Sequence, residues 1–368
     1  MKPRVMQLTF SLRMGGAENL ALSILMEGQQ QYDGLLTGLY LPPGILASVA
    51  ADSGIPWLAL ESDGLGRAHA AWRVYTAIRH HAVSLVHVHV PYLLPVVLPA
   101  TFMARVPLIL TVHSVHAMQT IAWLRQAMRL SAPFLAQTVC VSAPVHDYLA
   151  KELGIAQKHL SIIQNGIDTA KFTPDGTRAD TPWPESDKPF IFGNVCRLHE
   201  AKDLENLVTA FAAVYREYNN ARLLLVGDGE ERQKLEGLIQ QLGLAGAVHI
   251  TGMRTDIPSC LRCMDTFVLS SRHEGMPLAV LEAMASGLPI ISTAVGDIPA
   301  LNSEGETVAI VPRQDSTSLA QKMRELLCDG QLRAFLGTQG KNLVQKHYAN
   351  TTMTSHYLAL YKKKGLAV

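Results

Sequence analysis

Two glutamates, Glu274 and Glu282, are separated by seven residues that begin with a Gly-Met-Pro turn. Pro277 suits the first position of a helix because its missing N–H would have no partner there, and Gly287 suits the end of that helix. The unpaired N–H groups from Met276 to Ala279 would then form a seat for phosphate or another anion. The spacing therefore predicts an anion site with a carboxylate on either side, and carboxylates bind the hydroxyls of a sugar or ribose well.

The same two glutamates have a simpler interpretation. Glu274 could be a solvated loop residue and Glu282 an exposed helix residue. Apolar residues at positions 278, 280, 281 and 284 leave only part of this helix for solvent, which weakens that alternative.

Short apolar runs alternate with helical patterns over two long stretches of the chain, which is typical of parallel sheets covered on both faces. The first stretch predicts strands at 4–10, 35–40, 57–60, 84–89, 107–112, 137–141 and 160–163. The second predicts strands near 190–195, 222–227, 247–250, 266–269, 289–292 and 308–311. The fold class is therefore α/β with two doubly wound domains, whose ligands bind at the carboxyl ends of the strands.

Breaks in these patterns predict the domain bounds. The first domain covers residues 1–168, and a Pro- and Gly-punctuated linker follows at 169–188. The second domain covers 189–345, and residues 346–368 form a last helix.

Two further loops follow predicted strands and precede helices. Gly15 and Gly16 let a ligand approach the backbone closely after the first strand, but the third glycine of a dinucleotide-binding fingerprint is absent. Arg197 and Lys202, five residues apart after the first strand of the second domain, are placed to neutralise a diphosphate. An ordinary basic loop is the alternative for this pair. His113 ends another predicted strand, where a structural histidine is the alternative.

Composition excludes several classes of protein. The 368 residues are 48% hydrophobic and 17% charged with a net charge of +1, so a nucleic-acid partner is not indicated. Five scattered cysteines favour reduced thiols in the cytoplasm, and Cys260 and Cys263 are expected to pack in a core. No signal peptide is expected, and the longest apolar stretch, 91–104, is too short to span a bilayer.

Residues 64–146 contain six arginines, eight histidines and no acidic residue. Buried strands avoid carboxylates, which explains part of this bias. The alternative is a surface that approaches anionic lipid or a phosphorylated acceptor.

The segment from Glu274 to Ile291, EGMPLAVLEAMASGLPII, closely resembles the donor-site motif of the retaining GT-B glycosyltransferases of family four. Gly-Gly-Ala-Glu at 15–18 and Asn-Gly-Ile-Asp at 165–168 also resemble features of that family. The resemblance implies two facing Rossmann-like domains, with the last helix crossing back to the first domain.

The resemblance also implies roles for individual residues. His113, Arg197, Lys202 and Glu274 would be catalytic, with His113 contacting the sugar. The implied donor-binding set is Gly15, Gly16, Arg197, Lys202, Glu274, Gly275, Met276, Pro277, Leu278 and Glu282. No cofactor and no metal are implied, since a nucleotide sugar is the substrate. Asp203 replaces a glycine that commonly follows the family's lysine, and the segment 296–300 also departs from the usual pattern.

The implied activity is transfer of a sugar from a UDP- or GDP-sugar, with retention, to a glycan or lipid-linked acceptor in bacterial surface polysaccharide synthesis. The location would be the cytoplasm or the inner face of an anionic membrane. A nucleotide-sugar 2-epimerase and a noncatalytic sugar-nucleotide-binding module are the alternatives. Same-face attack is favoured over a protein nucleophile, although the residues leave both mechanisms open.

Overall fold

The computed structural model describes residues 2–13 and 15–366 and divides into two compact units. One unit contains residues 1–166 and 350–368, and the other contains residues 167–349. The described residues exclude positions 1 and 14 of the predicted first domain. They also exclude positions 367 and 368 of the predicted last helix.

The first unit is a seven-stranded, all-parallel sheet in the order β3-β2-β1-β4-β5-β6-β7. Its central strands are apolar runs because helices cover both faces of the sheet. The strands are β1 Arg4–Thr9, β2 Asp33–Gly38, β3 Trp57–Ala59, β4 Val83–Val88, β5 Leu108–Val112, β6 Gln137–Cys140 and β7 Leu160–Ile162. The helices are α1 Gly16–Gly28, α2 Ile45–Asp52, α3 Arg67–His80, α4 Leu94–Ala104, α5 His116–Thr120, α6 Ala122–Ser131 and α7 Ala143–Asp147.

The second unit is a six-stranded parallel sheet in the order β10-β9-β8-β11-β12-β13. Its strands are β8 Phe190–Val195, β9 Ala221–Val226, β10 Val248–Ile250, β11 Thr266–Leu269, β12 Ile290–Thr293 and β13 Val308–Val311. Its helices are α8 Leu204–Tyr215, α9 Arg232–Gln241, α10 Ile257–Leu261, α11 Leu278–Ala285, α12 Ser316–Cys328 and α13 Gly330–His347. Every predicted strand is present with its ends within two residues, and the α/β fold class is confirmed.

Both sheets reverse their strand order once. In the first unit the reversal lies between β1 and β4, and in the second it lies between β8 and β11. Ligands of open α/β sheets bind in the crevice beyond the carboxyl ends of the strands at such a reversal. The loops after these strands are therefore where binding residues are expected.

The segment 169–188, predicted as a linker, lies within the second unit. Phe172 and Trp183 are buried in its core, and Trp183 Nε1 donates to the carbonyl of Gly246 at 2.9 Å. Cys263 Sγ donates to the carbonyl of Ala179 at 2.9 Å. The boundary between the units therefore falls at residues 166 and 167, because two aromatic side chains fix the segment to the sheet.

The last helix, α14, runs from Asn350 to Lys363 and belongs to the first unit. Tyr357 and Tyr361 are fully buried there among the core side chains of β1 and α1. Their hydroxyls hydrogen bond to Thr111 and Gln7, respectively. The helix thus supplies part of the core beneath the loops of the first sheet.

Candidate active site

The loop after β11 carries the first of the two glutamates. Glu274 is mostly buried, and its Oε1 accepts hydrogen bonds from Lys202 Nζ at 2.6 Å and from Ser271 Oγ at 2.7 Å. Ser271 is fully buried, and its carbonyl accepts from Thr293 Oγ1 at 2.7 Å. The carboxylate is therefore held in one orientation by partners from two neighbouring loops.

Lys202 comes from the loop after β8, the strand that pairs with β11. Its side chain is about one quarter exposed, so the ammonium remains open to a ligand on one side. The backbone of the same loop is tied to the β11 loop, since Ser270 Oγ donates to the Lys202 carbonyl at 2.9 Å. The structure thus brings Lys202 and Glu274 together at the strand reversal, as the two sequence positions predict.

Helix α11 begins at Leu278, one residue later than the sequence predicts. Pro277 is the N-cap, with φ −73° and ψ 110°, so it precedes the helix instead of opening it. An extended ψ at Pro277 lets the chain leave the Gly275 turn before the first helical residue. The first turn of α11 directly follows the loop that holds Glu274, so an anion bound at this helix N-terminus would lie next to the carboxylate.

Glu282 lies in the second turn of α11 and is partly buried. Burial raises the pKa of its carboxyl group to about 7, and the nearby Lys171 ammonium opposes that rise. Within the described ranges, the carboxyl group has no hydrogen-bond or ion-pair partner in the protein. A buried carboxyl group without a partner is available to a ligand that brings hydroxyl groups.

Arg197 stands apart from these residues. Its guanidinium is largely exposed and forms an ion pair with Glu230, whose other oxygen lies 3.4 Å from His199 Nε2. Among the described contacts, Arg197 touches no other predicted donor residue. Both predicted phosphate-binding cations are therefore paired with carboxylates, Arg197 with Glu230 and Lys202 with Glu274.

Asp203 keeps the loop shape although it replaces the family's usual glycine. Its φ of 50° and ψ of 45° lie in the left-handed region that glycine favours and that aspartate tolerates better than most residues. Its buried carboxylate accepts from Arg272 Nη2 at 2.9 Å, and Arg272 Nη1 lies 3.1 Å from Glu200. The backbone N–H of Arg272 also donates to the Ala201 carbonyl at 2.8 Å. Arg272 thus ties the β8 loop to the β11 loop.

Gly296, which the sequence analysis left unassigned, packs against the backbone of the loop that contains Glu274 and Gly275. Its φ is +50°, and a Cβ there would collide with the carbonyl oxygen of Gly275. The Asp297 N–H donates to that same carbonyl at 3.0 Å. The departure from the family pattern at 296–300 therefore retains a glycine where the backbone of the Glu274 loop needs the space.

The glycine loop of the first unit leads directly into α1. Gly15 is the extended N-cap of the helix, with φ −164°, and Gly16 is its first residue. The Glu18 carboxylate turns back over Gly15, so a Cβ at Gly15 would collide with it. Burial raises the pKa of Glu18. A carboxylate thus lies at this helix N-terminus, where an anionic ligand would also be favoured.

His113 follows β5 in the first unit and is partly buried. Its Nε2 lies 3.3 Å from His89 Nδ1, and the two rings stack with centroids 5.6 Å apart. Burial lowers the pKa of His113 to about 4, so the ring is neutral at physiological pH. The sequence analysis missed His89, although its place just after β4 at the strand reversal was a usable signal.

The described residues offer neither a metal site nor a membrane-spanning helix. Across residues 2–13 and 15–366, no group of three or more His, Cys, Asp or Glu side chains is arranged to hold a metal ion. In the same part of the chain, no helix combines the length and apolar composition needed to cross a bilayer.

Two family models match this chain. The family model described as Glycosyl transferases group 1 matches residues 177–343, which include every predicted donor residue of the second unit. The model described as Glycosyltransferase Family 4 matches residues 42–171, which include His113. The two matches together cover most of both units.

Two curated bacterial relatives are similar over part of the chain. N-acetyl-alpha-D-glucosaminyl L-malate synthase of Bacillus anthracis is 29% identical over 230 residues, which are 62% of this chain and 60% of that protein. The UDP-Gal:alpha-D-GlcNAc-diphosphoundecaprenol alpha-1,3-galactosyltransferase of Escherichia coli is 31% identical over 234 residues, 59% of each chain. The chain thus spans about three fifths of the length of these relatives.

Among solved structures, Anabaena Alr3699/HepE in complex with UDP-glucose matches with a TM-score of 0.85. The match covers 98% of this chain and 99% of that chain at 21% identity, so it shows a shared fold. The two family matches, together with the shared fold, show that the chain belongs to the GT-B glycosyltransferases of family four.

Proposed function

We propose that this protein transfers a sugar, with retention, from a UDP- or GDP-sugar to a glycan or lipid-linked acceptor in bacterial surface polysaccharide synthesis. The observation that carries the proposal is the contact of Lys202 Nζ with Glu274 Oε1 at 2.6 Å, beside the N-terminus of α11. The Anabaena structure holds UDP-glucose, and the name of the Escherichia coli relative gives UDP-Gal and a diphosphoundecaprenol acceptor. Both support a nucleotide-sugar donor.

In the proposed reaction, the bond between the anomeric carbon and the β-phosphate oxygen breaks, and the acceptor oxygen bonds to that carbon on the same face. The departing phosphate oxygen takes the acceptor's proton. Negative charge grows on the β-phosphate, so preorganised cations and helix N–H groups lower the barrier. Lys202, Arg197 and the first turn of α11 would supply them without a metal.

The ion pair between Lys202 and Glu274 suggests how both side chains would respond to a donor. When a diphosphate binds, Lys202 can turn from Glu274 to the phosphate oxygens, because the lysine ammonium sits on a flexible chain. Glu274 then has an oxygen available for the hydroxyls of the donor sugar. Glu282, whose carboxyl group has no partner among the described residues, would accept from the ribose hydroxyls.

A thermal-shift screen tests the donor. We expect UDP-glucose, UDP-galactose, UDP-N-acetylglucosamine or GDP-mannose to raise the unfolding temperature, since a ligand at about 100 times its Kd adds about 2.7 kcal/mol of stability. The shift should persist in EDTA. No shift with any nucleotide sugar would reject the proposal. Release of nucleotide without an acceptor would indicate the epimerase, and binding without turnover would indicate a noncatalytic module.

We further propose that the protein contacts an anionic membrane surface through α6. Trp123 and Leu130 of this helix are 46% and 63% exposed, although its opposite side is buried. The Arg67 guanidinium lies over the Trp123 ring at 5.7 Å, and Arg129 is exposed beside Leu130. Apolar side chains flanked by arginines suit the boundary between headgroups and acyl chains.

Vesicle cosedimentation tests this contact. We expect binding to phosphatidylglycerol vesicles that weakens in high salt, and little binding to phosphatidylcholine vesicles. The double variant Trp123→Ser/Leu130→Ser should lose binding, whereas Phe335→Ser, at an exposed phenylalanine of the second unit, should not. Equal binding by the double variant would contradict the assignment of α6.

A further inference from the structure

A buried chain of hydrogen bonds runs from His113 into the core of the first unit. His113 Nε2 lies 3.3 Å from His89 Nδ1, and His89 Nε2 lies 2.6 Å from Gln7 Oε1. Gln7 Nε2 donates to Tyr361 Oη of the last helix at 2.9 Å. Gln7 and His89 are at most 1% exposed, so water does not substitute for these partners.

We propose that Gln7, acting through His89, fixes which ring nitrogen of His113 carries the proton. Gln7 is then a positioning residue of the active site. The consequence for catalysis rests on the proposed function and on the sugar contact that the family resemblance implies for His113. The proton position itself does not depend on that function.

His87, His89 and His113, the three histidines in this hydrogen-bond network, are neutral. Each therefore carries a single ring proton. Burial lowers the pKa of His87 to about 3 and of His113 to about 4, and it lowers the pKa of His89 well below the ordinary value. A neutral imidazole has one N–H donor and one acceptor nitrogen. Each hydrogen bond in the chain therefore dictates the direction of the next.

The direction starts at the Gln7 amide. Because Oε1 can only accept, His89 must carry its proton on Nε2. His89 Nδ1 is then an acceptor, so His113 must donate from Nε2. His113 Nδ1, which has no hydrogen bond in the described part of the chain, is left with its lone pair.

The Nε2 group of the Gln7 amide determines the direction of the hydrogen bonds toward His87 in the same way. Tyr361 Oη accepts from Gln7, and among the described residues His87 Nδ1, 2.7 Å away, is the acceptor available to the buried Tyr361 O–H. His87 then donates from Nε2 to Thr111 Oγ1 at 2.7 Å, and Thr111 contacts Tyr357 Oη at 3.1 Å. All three histidines are therefore protonated on Nε2. A 180° flip of the amide would reverse every bond and place all three protons on Nδ1.

This proton position determines what His113 offers to a substrate. With the proton on Nε2, Nδ1 accepts a hydrogen bond from a sugar hydroxyl. With the reverse arrangement, Nδ1–H could only donate. A hydrogen bond from a donor-sugar hydroxyl to Nδ1 is the interaction that Gln7 would secure.

Nitrogen-15 NMR of histidine-labelled wild-type protein tests the assignment directly. We expect Nε2–H tautomers for His87, His89 and His113, with the His113 signals identified by their loss in His113→Asn. A protonated Nδ1 on His113 in the wild type would overturn the proposal. This measurement needs no substrate, so a failure of sugar transfer would reject the proposed function and leave the tautomer result standing.

Two variants separate positioning from a general structural effect. Gln7→Met preserves volume but removes the amide, so His113 should become a mixture of tautomers, and kcat/KM should fall in proportion to the lost Nε2–H form, about twofold for an even mixture. Tyr357→Phe alters the far end of the same chain and should leave the His113 tautomer and kcat close to wild type. A single Nε2–H tautomer in Gln7→Met, or equal losses in both variants, would contradict the proposal.

Discussion

Replacing Lys202 with alanine is expected to slow sugar transfer about 10²- to 10³-fold, which is the usual effect of removing one group that stabilises transition-state charge. Lys202 is the cation that the structure places against Glu274, 2.6 Å away at the strand reversal. Its loss removes charge at the departing phosphate and leaves the mostly buried Glu274 carboxylate with Ser271 as its remaining partner. Steady-state kinetics with the donor found by the thermal-shift screen would measure the effect.

The chain offers a matched control for this variant. Lys322 also forms a 2.6 Å ion pair with a glutamate, Glu325, but on an outer helix of the same unit. Lys322→Ala should leave kcat/KM near wild type because an exposed pair of this kind contributes little. Unchanged turnover in Lys202→Ala, or equal losses in both variants, would remove Lys202 from the proposed mechanism.

Glu282→Gln is expected to change the pH dependence of stability. Because the folded-state pKa is about 7, above the ordinary value of 4.5, the folded state binds more protons than the unfolded state between these pH values. Wild-type stability should therefore fall as pH rises from about 4.5 to 7, by up to about 3 kcal/mol. Glutamine stays neutral, so the variant should be more stable than wild type at pH 8 and similar at pH 4.

The same substitution should weaken donor binding about tenfold, since an ionised carboxylate accepts stronger hydrogen bonds from ribose hydroxyls than an amide does. Chemical denaturation across pH and donor titration at pH 8 would measure the two effects. Glu306→Gln, at an exposed glutamate of the same unit, should change neither. A wild-type stability that does not fall between pH 4.5 and 7 would contradict the burial of the Glu282 charge.

Local patterns in the sequence account for most of the fold and for half of the candidate site. Buried parallel strands are continuous apolar runs, so β8 and β11 could be located from the chain alone. Once they are neighbours at a strand reversal, the loops that contain Lys202 and Glu274 must meet. The one-residue error at Pro277 arose because proline suits both the N-cap and the first helical position.

The remaining features depend on contacts between distant parts of the chain. Tyr361 and Gln7 are 354 positions apart, so no local pattern could reveal that they share a hydrogen bond. The left-handed backbone of Asp203 is stabilised by Arg272, 69 positions away. Gly296 is explained only by the Gly275 carbonyl against which it lies. These residues position the site without belonging to its motif.

The division of the chain has a consequence for its synthesis. Residues 167–349 are contiguous, so the second unit can fold as soon as they have left the ribosome. The first unit lacks the buried Tyr357 and Tyr361 side chains until the last helix emerges. The core of the first unit around β1 and His87 therefore remains incomplete while the second unit is being synthesised. The unit whose synthesis begins first therefore completes its core last.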